Sequence, residues 1–385
     1  MLLKDMLECY SPTGYESNLV DFLIRWANNN GFKAHKDKVG NFIAKKGKGK
    51  EILLVGHVDT VPGEIPVRIE GNKLFGRGAV DAKGPLACFL EASLDVSKGK
   101  IIIVGAVDEE GDSKGVKNIL NKFNPKYIIV GEPSGWSNIN IGYKGRLNIF
   151  YTNVKNKEHS SSLNSNCYEE TIEFYNKIKE YCKKFNHGKK LFEQLGFKPV
   201  LINAENDDFT DKVKIQINLR TPVGFKIHKI KRFIENNTNN VTVTYSNYEE
   251  AIKVNKNNKL VTIFIRAIRE AEGEPKFKLK MGTSDMNILK KYKVSILTYG
   301  PGDSNLDHTP NEHIDLDDYV KSVNVLKNVL EKIQEKFFYK FILSHICAIF
   351  LCFYHSCTNV SANPYYEFSV LLKHFYESNL YLPLF

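Results

Sequence analysis

EILLVGHVDTVP, at residues 51–62, is an apolar run of strand length that ends in a histidine and, two residues later, an aspartate. No position between Ile52 and Val55 is polar, which is the pattern of a strand covered on both faces. IIIVGAV (101–107), KYIIVG (126–131) and VSILTYG (294–300) have the same character, and material of helix length separates the middle pair. Such alternation predicts an α/β domain around a parallel or mixed buried sheet.

Working outward, residues 16–30 place Leu19, Val20, Phe22, Leu23 and Trp26 at helical spacing between a Ser-Pro-Thr-Gly turn and Gly31. From 144 to 250 the texture turns polar and rich in Asn and Lys. Alternating runs VKIQINLR (213–220) and VTVTYSN (241–247) accompany a helix near 168–185. That segment reads as an inserted α+β domain, so the main domain is discontinuous, 1–143 and 251–336. Its return is marked by apolar sequence at 260–272 and a closing helix at about 316–336, striped by Val320, Val323, Leu326, Val329, Leu330 and Ile333.

Residues 337–385 do not match the rest. FFYKFILSHICAIFLCFY (337–354) approaches the lower length of a membrane span, but Lys340 and His345 interrupt it. An extra packed or partner-binding helix, or a non-functional extension, is preferred over a membrane anchor. Cys347, Cys352 and Cys357 recur at a spacing that suits no metal motif.

A chain of 385 residues is long enough for two domains, and 42% hydrophobic with 25% charged residues excludes disorder as the default. Lys and Arg outnumber Asp and Glu by 54 to 44, a formal +10 that favours acidic partners or substrates. The basic residues are scattered, without a helix-turn-helix, zinc-knuckle or aromatic ribonucleoprotein pattern, so nucleic acid is not expected. MLLKDMLECYSPTG lacks the features of a signal peptide, and seven cysteines without a CxxC pair suggest reduced thiols in a cytoplasm.

The acids and histidines fall where an open α/β sheet binds ligands. His57 and Asp59 follow the first run, Glu109 and Glu110 the second, Glu132 the third, and His308 the fourth after a Gly-Pro-Gly turn. Carboxyl ends of strands line the crevice, so these side chains are expected to converge, joined by Asp81 from the turn FGRGAVDAKG. Imidazoles and carboxylates in the set His57, Asp81, Glu110, Glu132 and His308 match a two-zinc site with Asp81 as the bridge. Glu109 then stays free as general base, and Asp59 is placed to accept the other N–H of His57. Each residue also has a plain reading: strand-end His and Asp form turns, Glu-Glu-Gly is often a solvated loop, Gly78 and Gly84 permit tight turns, and Lys83 can be solvated.

GHVDTVP, GRGAVDAKGPLA, DEEG, GEP, GTSD and HTPNE occur in an order that resembles the metallopeptidase and amidohydrolase family of acetylornithine deacetylase, succinyl-diaminopimelate desuccinylase and carboxypeptidase G, over roughly residues 1–335. The resemblance implies a dimetal catalytic domain with an inserted lid that dimerises. It also implies His57, Asp81 and Glu132 around one divalent ion, Asp81, Glu110 and His308 around the other, and Glu109 as base; zinc, cobalt and manganese stay open. His159 in KEHSSS resembles the histidine that stabilises the oxyanion across the dimer, without the customary preceding glycine. Arg220 in INLRTP resembles the arginine that holds a substrate carboxylate, with Asn218 where Asp is common, and Gly282, Thr283, Ser284 and Asp285 are implied to shape the pocket.

Within the family, the short lid and the wording of SPTGYES and GHVDTVPGEIPVRIEG look most like the branch that releases lysine or ornithine from an acidic amino-group carrier protein in lysine and arginine biosynthesis. An acetylornithine deacetylase or aminoacyl peptidase is the alternative within the same chemistry. A non-catalytic metal-binding interaction protein is the alternative from another class, and an intact Glu109 argues against it.

Overall fold

The computed structural model describes residues 1–96, 99–159, 161–246 and 248–333; the readings made for 337–385, including the three cysteines, lie outside them. Among the described residues no helix is long and apolar enough to cross a membrane.

The first part of the chain supplies strands β1 (Lys33–Lys36), β2 (Phe42–Lys48), β3 (Glu51–His57), β4 (Arg68–Glu70), β5 (Lys73–Phe75), β6 (Gly99–Ala106), β7 (Pro125–Val130) and β8 (Asn138–Tyr143). Helices α1 (Leu2–Glu8) and α2 (Ser17–Asn29) precede them, and α3 (Lys83–Ala92) and α4 (Lys114–Ile119) lie on either side of β6 in the chain. Strands β9 (Gly145–Asn156), β10 (Gly196–Asn206), β11 (Thr210–Thr221) and β12 (Thr242–Tyr245) follow, with α5 (Cys167–Asn186) and α6 (Ile227–Glu235). The last part adds β13 (Ile252–Lys253), α7 (Lys259–Glu270), β14 (Lys276–Lys280), α8 (Asp285–Leu289), β15 (Ser295–Thr298), β16 (His313–Asp315) and a helix α9 at 316–333.

The main sheet runs β1-β2-β6-β3-β7-β15-β8-β13, with β14 beside β8. Its centre is parallel, β6 on β3, β3 on β7 and β7 on β15, while β1, β2 and β13 pair antiparallel at the flanks. This is why the four apolar runs carry no solvated face. Leu53, Val55, Ile102, Val104, Ile128 and Val130 pack on one side against Val116 and Ile119 of α4 and Met286, Ile288 and Leu289 of α8. Fully burying each such Leu or Ile contributes on the order of 1.5–3 kcal/mol. Register aligns His57 with Ala106, Val55 with Val130, and Val130 with Thr298, so the carboxyl ends of four strands share one edge.

The α9 stripe keeps Leu326, Val329, Leu330 and Ile333 of the expected one and differs in its first turns. Tyr319, Ser322, Val325, Leu326, Val329, Leu330 and Ile333 are buried, whereas Val320 is 55% exposed. A β-branched residue on the solvent side satisfied the apolar count without facing the core.

Strands β10-β11-β9-β12 form a second, antiparallel sheet. Alternate residues Leu147, Ile149, Tyr151, Ile215, Ile217 and Leu219 meet Phe174 and Ile178 of α5 and Ile230 and Ile234 of α6. That is the period-two pattern of a sheet with one covered face. Helix α5 starts in a capping box, Asn166 accepting from the Glu169 amide while Glu169 accepts from the Asn166 amide. Edge strand β10 leaves Val200, Leu201 and Ile202 exposed.

The two sheets join tightly. Lys144 alone separates β8 from β9, and a Cβ on Gly145 would lie 2.3 Å from the Glu249 carbonyl, a contact only glycine allows. Asn287 of α8 donates to the carbonyls of Lys144 (3.0 Å) and Glu250 (2.8 Å), one on each crossing segment. Its oxygen accepts from the Ser284 amide at 3.0 Å, so the whole amide is satisfied.

Candidate active site

Asp81 stands between two imidazoles. His57 Nε2 lies 3.1 Å from Asp81 Oδ1, and His308 Nε2 lies 3.1 Å from Asp81 Oδ2. His308 Nε2 is also 2.8 Å from Glu110 Oε1, and ligand atoms of Asp81, Glu110 and His308 all fall within 4.8 Å of one another. Glu109 and Glu132 line the same cavity of about 460 Å³, together with Arg220, Gly282, Thr283 and Ser284.

The loop that carries Asp81 is held from beneath by a carboxylate that the sequence reading did not single out. Glu312, 1% exposed, accepts through Oε1 from the amides of Gly78 (3.1 Å), Val80 (2.9 Å) and Asp81 (3.1 Å), and its Oε2 takes Arg77 Nη1 at 2.9 Å. A carboxylate with this many donors is the fully satisfied kind that burial tolerates. Where α3 begins, a Cβ on Gly84 would meet the Ala79 carbonyl at 2.3 Å, so the turn closes only with glycine there. Lys83, for which a solvated position was one reading, is instead inaccessible. It donates to the carbonyls of Cys9 (2.8 Å) and Met6 (3.3 Å), and burial pulls its pKa down to about 8.

Asp59 acts differently from the expectation that its carboxylate takes the second N–H of His57. The nearest acceptor of Nδ1 is the Asp59 backbone carbonyl, at 2.8 Å, and the carboxylate oxygen is 3.5 Å away. That carboxylate is occupied by the amides of Glu109 and Glu110 (both 3.1 Å) and the Thr13 hydroxyl (2.8 Å). It therefore anchors the turn that presents both glutamates, while the backbone orients the imidazole.

Electrostatics separate the acids. Burial, then the charge of Asp81, lifts the Glu132 carboxyl well above the usual range. Burial lifts Glu109 likewise, with His57 opposing. Asp81 moves the other way: burial resists, but hydrogen bonds from His308 and His57 hold its carboxyl low. The Asp81 and Glu110 hydrogen bonds push His308 up to about 10. Against burial, the Asp59 and Asp81 contacts keep His57 well above the ordinary imidazole value. Divalent ions fit such a donor set: the His308 imidazole and the carboxylates of Asp81, Glu110 and Glu132 line one cavity, the His57 imidazole meets Asp81 from behind that lining, and Glu132 makes no hydrogen bond to any described residue.

Arg220, on β11, donates to the Thr283 hydroxyl at 2.7 Å, and burial lowers its pKa. Asn218 pairs across the strands with Asn148, 2.7 Å. Asp285 sits behind the lining residues at the start of α8, 2% exposed, with burial raising its pKa to about 7. His159 is exposed in the loop after β9, its Nδ1 2.7 Å from the Ser161 hydroxyl, and is not among the cavity-lining residues.

With this geometry in view, comparison with known proteins is decisive: the model of peptidase family M20/M25/M40 matches residues 53–332. The chain belongs to that family. A relative from Pyrococcus furiosus, provisionally named a [LysW]-lysine/[LysW]-ornithine hydrolase, is 46% identical over 330 residues, 85% of this chain and 95% of the relative. The [LysW]-lysine hydrolase of Deinococcus radiodurans is 34% identical, covering 86% and 96%. Among solved structures, a Staphylococcus aureus tripeptidase superposes with a TM-score of 0.72 at 17% identity, over 87% of this chain and 97% of that one. A Bacillus subtilis protein described as a dinuclear metal binding peptidase of the M20 family gives 0.62 at 12% identity, over 87% and 97%. The α/β fold with an added antiparallel sheet is thus the M20 fold, and the chain is an M20 metallohydrolase.

Proposed function

We propose that this M20 hydrolase cleaves the amide that joins lysine or ornithine to the γ-carboxyl of a carrier protein's C-terminal glutamate, in lysine and arginine biosynthesis. The observation that carries the dimetal reading is Asp81, with one imidazole nitrogen 3.1 Å from each of its oxygens. His57, Asp81 and Glu132 would hold one ion and Asp81, Glu110 and His308 the other, zinc or cobalt by donor type. Such ions supply polarisation of the amide carbonyl and a lowered pKa for water.

The chain's own groups do the rest. Glu109 takes a proton from the water that adds to the amide carbon and delivers it to the nitrogen, so the C–N bond breaks to a carboxylate and an amine. Arg220 binds a substrate carboxylate beside Thr283, and Gly282, Ser284 and Asp285 shape the wall. Asp59 positions Glu109 and Glu110 through their amides.

The lid, residues 144–250, pairs with a second copy and brings His159 to the partner's oxyanion; the exposed apolar edge of β10 supports that pairing. A formal +10 suits an acidic carrier, and free cysteines at 9, 88, 167 and 182 suit a reducing cytoplasm. The test is mass spectrometry of products after zinc- or cobalt-loaded protein meets carrier-linked lysine and, separately, N-acetylornithine. Loss of lysine from the carrier is expected. Cleavage of acetylornithine alone would make the chain a deacetylase.

A further inference from the structure

Most charges lining the cavity are already engaged. Asp81 and Glu110 contact the two histidines, and Glu249 pairs with Arg146 at 3.0 Å. Arg220 holds the Thr283 hydroxyl. Glu132 and Glu109 have parts in the chemistry. Asp307 and Lys280 remain: both line the cavity and both are only partly exposed. Neither side chain has a hydrogen bond or close ion pair with any described residue, and the two feel each other's charge only at longer range. Asp307 Oδ1 is buried without a partner and lies outside the group of ligand atoms around His308.

An unpaired acid and an unpaired cation in one pocket are costly unless the ligand completes them. Lysine and ornithine carry the complement, a cationic ω-amino group and a carboxylate. Resting on the hydrolase reading above, we propose that Asp307 receives the ω-ammonium of the released amino acid and Lys280 receives a carboxylate, so the site selects diamino acids over neutral ones of equal length. A cation seated at Asp307 would also offset the burial that penalises its charge.

The experiment compares carrier-linked lysine with carrier-linked norleucine, which matches it in length but lacks the amine, using zinc-loaded wild type, Asp307→Asn and Lys280→Met. In Asp307→Asn the lysine-to-norleucine ratio of kcat/KM is expected to fall roughly 10- to 100-fold, the value of a charge-assisted hydrogen bond. Lys280→Met should raise KM for both substrates and keep the ratio. An unchanged ratio in Asp307→Asn, with both substrates slowed alike, would overturn the assignment and leave Asp307 as support for the His308 loop. If the wild type cleaves neither linkage, the hydrolase reading has failed, and calorimetry with free lysine and norleucine decides the inference separately. Tighter binding of lysine that Asp307→Asn abolishes upholds it; equal affinities refute it.

Discussion

Glu312 and Glu132 are both nearly inaccessible, 1% and 9% exposed, yet their surroundings differ completely. Glu312 collects three backbone amides and a guanidinium. Glu132 makes no hydrogen bond to a described residue and is pushed up by burial and by Asp81. The first environment is complete within the chain, and the second, on the proposed reading, is completed by cations from outside. Glu312 and Glu132 thus represent two kinds of buried acid in this chain, one that builds the cradle and one that is left open to a ligand, and hydrogen-bond satisfaction tells these two apart.

The largest effect that can break this division is on turnover. Glu109→Gln keeps shape but removes the proton acceptor, so kcat should drop by about 10²–10⁴ with metal content unchanged, checked by single-turnover kinetics and elemental analysis. Retained activity would remove Glu109 from the unsatisfied, working set.

On the cradle side, Glu312→Ala leaves three amides without their acceptor and Arg77 without its counter-charge, holding only the Gly63 and Thr309 carbonyls. A stability loss of about 3–5 kcal/mol is expected in denaturant unfolding. A loss near zero would mean that the cradle is not held by its carboxylate.

Asp59→Asn should act between the two classes, since it weakens the turn that presents Glu109 and Glu110 without touching the reacting atoms. Metal affinity or activity is expected to fall about 10- to 100-fold, read by metal titration. The smallest effect belongs to the exposed pair Lys327–Asp95, 2.7 Å apart, where Asp95→Ala should change stability by less than about 1 kcal/mol.

Legibility in the sequence followed the same division. The parallel strands were readable because burial on both faces leaves a continuous apolar run, and the gathering of strand-end acids and histidines follows directly from that placement. The cradle was not readable: Glu312 lies 235 residues from Arg77, and Asn287 is 143 from Lys144, so neither leaves a local pattern. Asp59 was noticed for its neighbour His57, but its carboxylate serves amides about 50 residues away, a partner that spacing does not encode. Val320 misled because an amphipathic stripe tolerates one apolar residue on its wet side.

The most direct test is to strip the protein of metal and titrate zinc into wild type and Asp81→Asn, following bound ions by calorimetry. Two ions per chain in the wild type, with both affinities weakened together by Asp81→Asn, is the predicted result; a single wild-type ion, or a variant that binds as the wild type does, would contradict the shared aspartate on which the account rests.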